Sequence, residues 1–161
     1  MEPSPRVLIL GIGNLLMGDE GLGVHAIRIL QEQTWPAGVE LVDGGTGGFN
    51  LLSYLSDYPT VILIDAVMDG RDPGKVTIIK PQFLSDYPRT LAAHDVGLRD
   101  LIETAALLGP LPVMYLITVS IAEIREGATE LTPAIEQALA DVVRSVRNIL
   151  CEEGFPPERF S

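Results

Sequence analysis

The sequence predicts an α/β fold, a mostly parallel sheet of about five strands covered by helices on both faces. Three observations carry that prediction. Continuous apolar runs without polar alternation recur along the chain, the pattern of strands buried on both faces. Between them lie stripes of apolar residues at helical spacing. The two kinds of segment alternate along the chain, and alternation of strand and helix builds a parallel sheet between helices.

RVLILGI (Arg6–Ile12) is the first strand, an aliphatic run ending at glycine. GLGVHAIRILQEQ follows, with Leu22, Ala26, Ile29 and Leu30 on one stripe, the i, i+4, i+7, i+8 pattern of an amphipathic helix. Pro36 and Gly38 end it, and VELVD (Val39–Asp43) begins a second strand before GGTGG. Leu51, Leu52 and Leu55 predict a short helix, and TVILIDAV (Thr60–Val67) a central third strand. After the turn MDGRDPG, KVTIIKP reads as an edge strand, because two lysines and Pro81 close it. Leu98, Leu101, Ile102, Ala105 and Leu108 form the next helical stripe, and LPVMYLITVSI is the last strand. Thr132 followed by Pro133 is an N-cap and first-turn signature. The stripe Ile135, Leu139, Val142, Val143, Val146, Ile149 and Leu150 makes the final helix, and a flexible tail is expected near 152–161.

A chain of 161 residues suits a single domain spanning 1–161. Its 47% hydrophobic and 20% charged residues are the composition of a folded globular protein. A formal charge of −11 argues against a nucleic-acid partner, since phosphate neutralisation needs clustered Lys and Arg. Cys151 is the only cysteine, which leaves no internal disulfide or cysteine metal cage and makes a reducing cytoplasm the expectation. MEPSPRVLIL does not read as a signal peptide, and VMYLITVSIA is too short for a bilayer, so a soluble protein without membrane insertion is expected.

In open α/β sheets, ligands gather beyond the carboxyl ends of the strands. The loops there carry Asp19 and Glu20 after the first strand, Asp43 ending the second, Asp65 ending the third, and His94 just before a helix. GIGNLLMGDEGLG (Gly11–Gly23) could cradle a phosphate or present an acid. The dinucleotide fingerprint fails at its third glycine, where Leu16 stands, and no Gly-Lys-Ser/Thr ending is present. Asp19 and Glu20 would also repel an incoming anion, so the glycines read instead as a tight turn and close backbone approach. Each acid also has a structural reading: Asp19 as helix N-cap, Glu20 as a first-turn acid facing the helix dipole, Asp65 as a turn-bonding carboxylate. His25, inside the first helix, reads as a surface residue. Glu20, Asp65 and His94 together form an O,O,N set suited to a borderline divalent cation with open positions. There is no G-x-S-x-G elbow and no HExxH, and Cys151 falls on the last turn of a helix away from this rim.

GIGNLLMGDEGLG, VDGGTGG, ILIDAV and AHDVGL resemble, in that order, the motifs of the nickel–iron hydrogenase maturation endopeptidases. The resemblance covers nearly the whole chain. It implies a three-layer α/β/α sandwich around a twisted sheet, and an enzyme removing a C-terminal peptide from the hydrogenase large-subunit precursor after nickel insertion. Residue by residue, it makes Glu20, Asp65 and His94 the metal site and the catalytic set, with Asp43 lining the cleft. The nickel is then supplied by the precursor and serves as a recognition element, so only a loaded precursor is cut. The general base is left open between Asp43 and Asp19, and the chain is taken as a monomer. Ala92, Ala93 and Asp95 differ from residues common around the family's histidine, which points to a different precursor partner. Two other readings stand beside this one: a peptidase with its own zinc or manganese, and a nickel-sensing chaperone that binds the precursor without cutting. A nucleotide-binding module comes third.

Overall fold

A computed structural model describes residues 6–45, 50–87 and 98–155. Among the described residues five strands form one sheet: β1 (Val7–Ile12), β2 (Val39–Gly45), β3 (Thr60–Val67), β4 (Val76–Ile79) and β5 (Val113–Ser120). The α-helices among these residues are α1 (Leu22–Gln31), α2 (Asn50–Asp57), α3 (Leu98–Leu108) and α4 (Pro133–Glu152). The strand order is β2-β1-β3-β5-β4, parallel throughout except for β4, which runs antiparallel to β5 at the edge. This is the expected mostly parallel sheet, including the lysine-flanked edge strand.

Burial follows position in the sheet. Every residue of β1 and β3 is buried, because each strand has a neighbour on both sides and a helix layer on both faces. Successive residues point to opposite faces. Ile9, Ile62, Ile64 and Ile117 pack under α1 and α4, against Leu22, Ile27, Ile135 and Val142. Leu8, Leu10, Leu63 and Leu116 pack on the other side, against Leu55 of α2 and Ile102 of α3. The result is a three-layer α/β/α sandwich.

Two details differ from the sequence reading. Leu108 does not join the buried face of α3; it is 75% exposed and Leu107 84%, because both fall in the last turn, past Ile102 where the helix meets the core. The side chains of Leu98 and Leu101 lie outside the described residues. Of the flexible tail expected near 152–161, residues 156–161 lie outside the described residues, while 152–155 close the end of α4. Gly154 takes a φ of 98°, and the Phe155 amide donates to the Leu150 carbonyl at 2.9 Å while the Gly154 amide donates to Cys151 at 3.3 Å. That pairing is a Schellman motif, and it tucks Phe155 against Leu150 in the core at 5% exposure.

Strand order reverses direction between β1 and β3. The chain leaves β1 for β2 on one side and returns to place β3 on the other. A crevice at the carboxyl ends of two such strands is the usual ligand position in an open α/β sheet.

Candidate functional site at the strand switch point

Glycines set the geometry at this point. A Cβ on Gly11 would stand 2.1 Å from the Gly23 carbonyl oxygen, and one on Gly23 would stand 2.2 Å from Ile12 O and 2.4 Å from Ile64 O. The first turn of α1 therefore rests directly on the backbone of β1 and β3. A Cβ on Gly13 would meet the Glu20 carbonyl at 2.4 Å. The glycine pattern serves close backbone contact.

A single 3₁₀ turn, Gly18–Gly21, packs against β3 and carries both acids inward. Asp19 is 3% and Glu20 1% exposed. Asp65 is 0% exposed, on the residue after Ile64, and its Oδ1 accepts the Ala66 amide at 2.8 Å. Glu20, packed over Gly13, and Asp65, next to the Ile64 carbonyl under Gly23, flank one backbone junction. Burying ionisable carboxylates costs several kcal/mol each unless they are well partnered, on the order of the net stability of a small domain. Two such groups at the switch point mark it as the candidate site.

Asp65 shares a sheet face with Val61 and Leu63, the face covered by α2 and α3. In register beside it on β5 lies Thr118, and Val67 pairs with Ser120. Thr118 is 3% and Ser120 1% exposed, and the Ser120 hydroxyl has no partner among the described residues. The sequence reading passed over both. The signal was the alternation Leu116, Thr118, Ser120, which turns one face of β5 from apolar to hydroxylic at its carboxyl end.

Asp43 is exposed and pairs in register with Gly11, and its Oδ1 accepts the Gly45 amide at 2.8 Å. It stands two strands from Asp65, about 10 Å across the sheet. His94 lies outside the described residues, as do Ala92, Ala93 and Asp95. Among the described residues, no group of three His, Cys, Asp or Glu side chains comes together to hold a metal ion. No helix among them is long and apolar enough to cross a membrane. Cys151 is exposed on the last turn of α4, near Glu153, which bonds Thr60 at the opposite end of β3 from Asp65.

Two other residues need correction. Asp19 is structural, but it does not cap α1. Gly21 holds the N-cap position with no side-chain cap bond, because the 3₁₀ turn intervenes and carries Asp19 toward α4. There its Oδ1 accepts the Thr132 amide at 2.7 Å and its Oδ2 the Thr132 hydroxyl at 2.8 Å. His25 is not a surface residue. It is half-buried, its Nε2 has no partner among the described residues, and burial, followed by the Arg28 charge, lowers its pKa. Glu136, Asp19 and a backbone bond with Thr129 work in the opposite direction.

The loop after β5 braces the loop that carries Glu20. Gly127 donates to Leu16 at 2.6 Å and Gly18 donates to Ala128 at 2.8 Å, with the Arg125 side chain lying against Gly18.

Comparison with known proteins bears on the family and the fold. A family model described as hydrogenase maturation protease matches residues 24–149. A hydrogenase expression/formation protein of Rhodobacter capsulatus is 38% identical over 152 residues, covering 88% of this chain and 71% of the relative. The hydrogenase 2 maturation protease of Escherichia coli (strain K12) is 30% identical over 152 residues, covering 92% of this chain and 93% of the relative. Among solved structures, a hydrogenase maturating endopeptidase from Escherichia coli superposes with a TM-score of 0.83 at 29% identity, covering 92% of this chain and 94% of that one.

Proposed function

The chain belongs to the hydrogenase maturation protease family, and from that premise we propose that it removes a C-terminal extension from the nickel–iron hydrogenase large-subunit precursor once nickel has been inserted. The observation that carries this reading is the pair of buried carboxylates, Glu20 at 1% and Asp65 at 0% exposure, at the switch point of the sheet. Nickel arrives as part of the substrate. Carboxylate oxygens joined by one imidazole nitrogen are donors that a borderline divalent ion with open positions accepts. Glu20 and Asp65 supply the oxygens and His94 the nitrogen.

Gripping the loaded centre fixes the adjacent tail across the rim, so metal loading becomes a positioning requirement for cleavage. The loaded centre supplies Lewis acidity toward the scissile carbonyl or an attacking water. For the proton, Asp43 is the better placed of the two candidate acids. Asp19 spends both oxygens on Thr132, whereas Asp43 is exposed at the rim and has one oxygen beyond its bond to Gly45.

The test incubates the protein with nickel-loaded and nickel-free precursor and follows tail release by mass. Glu20→Ala, Asp65→Ala and His94→Ala should each abolish processing while the protein stays folded. Retained cleavage of the loaded precursor in two of the three defeats the assignment. A peptidase with its own metal would cut nickel-free precursor, and a non-cleaving chaperone would form a stable complex with the tail intact.

A further inference from the structure

α4 breaks a local rule at its N-cap. Thr132 occupies its N-cap, where a threonine hydroxyl ordinarily accepts an amide of the first turn and stabilises the helix. Here the hydroxyl makes no such cap bond. It donates to Asp19 instead, and the Thr132 amide donates to the other oxygen of the same carboxylate. In a capping box, a Glu or Gln three residues into the helix reaches back to the N-cap amide. In α4 that position is Ile135, which cannot, and Asp19 performs the task from 113 residues away.

The beneficiary is the turn at Gly18–Gly21. Two of its four residues are glycine, and Gly18 takes a φ of 63°, so the turn has little intrinsic stiffness. α4 is the reverse: twenty residues long, with eight of them buried. Charge-assisted bonds to a carboxylate are stronger than neutral ones, and an anion at a helix N-terminus is further favoured. Consecutive Cα atoms are fixed about 3.8 Å apart, so anchoring Asp19 leaves Glu20 little freedom.

We propose that Asp19 is a positioning residue: by taking both donors of Thr132, it borrows the rigidity of α4 to aim the Glu20 carboxylate at the metal carried by the precursor. The proposal rests on the reading of Glu20 as a metal-recognising group. It explains why this helix forgoes its own cap, and why two adjacent acids, both buried, have different tasks.

The experiment measures binding of nickel-loaded and nickel-free precursor to the full chain and takes the ratio of the two affinities. Thr132→Val removes the hydroxyl bond and keeps the shape; it should cut the preference for loaded precursor about tenfold, the effect of losing one bond to a charged group. Nickel-free binding should stay unchanged, which a general loss of folding would not allow. Asp19→Asn should lose at least as much preference, and the double variant little more than the worse single one, since both changes remove a shared interaction. Thr132→Ser should restore the ratio to within about twofold. Glu20→Gln separates the two ideas. If it loses the preference while folded Thr132→Val and Asp19→Asn keep it, the positioning role is wrong and the site reading survives. Equal losses in Thr132→Ser and Thr132→Val also overturn it. If Glu20→Gln keeps the full preference, the site reading falls and takes the positioning role with it.

Discussion

Replacing Gly23 by alanine reverses an ordinary expectation. Gly→Ala inside a helix usually stabilises by up to about 1 kcal/mol. At Gly23, the new Cβ would stand 2.2 Å from Ile12 O, 2.4 Å from Ile64 O and 2.6 Å from Ile12 N. All three are backbone atoms of central strands, so no flexible side chain can swing aside. Relief requires α1 to retreat from the sheet by roughly 1 Å, lifting Leu22, Ala26, Ile27 and Leu30 out of their packing. Overpacking of a tight core costs about 1–3 kcal/mol, and contact with three fixed atoms puts this site at the top of that range. Less the helix gain, the net loss is about 2 kcal/mol, which lowers Tm by roughly 4–8 °C in a chain of this size. The assay is urea unfolding, with Gly109→Ala as control, since nothing lies within 4 Å of that glycine. The control should fall within about 0.5 kcal/mol of wild type. Processing of loaded precursor should fall as well, because Glu20 is three residues from the displaced turn. If Gly23→Ala matches the control in midpoint and cleaves normally, the close-approach account of the glycine pattern is wrong.

His25 should make stability pH-dependent. Its pKa is lowered in the folded protein by burial and by Arg28, so below about pH 6.5 the unfolded chain takes up a proton that the folded chain resists. Stability should therefore decline as pH falls through that point, levelling off below the folded pKa, and His25→Gln should flatten the decline in melting temperature between about pH 7 and pH 5. Tyr87 works at the other end of the scale: burial pushes its hydroxyl up to about 12. Absorbance titration should show one tyrosine resisting ionisation until then, with stability falling as pH rises from about 10, where an unfolded tyrosine ionises. Phe155→Ala should cost about 3 kcal/mol by calorimetry, because the side chain closes the α4 terminus against the core. A loss under about 0.5 kcal/mol would restore the picture of a loose tail from 152 onward.

Strand identity, helix identity and the edge strand were legible because they depend on local pattern. Uninterrupted aliphatic runs such as VILIDAV bury on both faces, and Lys75, Lys80 and Pro81 bracket the edge. The ordered motifs also singled out Glu20 and Asp65, and the fold buries both carboxylates. What sequence spacing missed lay in contacts between distant segments. Asp19 looked like a cap for the helix that follows it, because a one-dimensional pattern sees only neighbours; its partner is Thr132, 113 residues on. His25 looked like a surface residue of α1, whereas in the fold it is half-buried, with a backbone bond to Thr129 and the charges of Asp19 and Glu136 bearing on it. Leu108 continued a good stripe into the exposed last turn of α3.

The sequence by itself determined which segments become strands and helices and which residues can bind or protonate, since these follow from side-chain chemistry and period. Tertiary structure alone decided how the acids are used. Two adjacent carboxylates with nearly the same chemistry are divided by what the fold brings against them: Thr132 at the start of α4 takes Asp19, and Glu20 is buried in the turn that packs against β3. That division depends on distances across the chain, which no local pattern encodes.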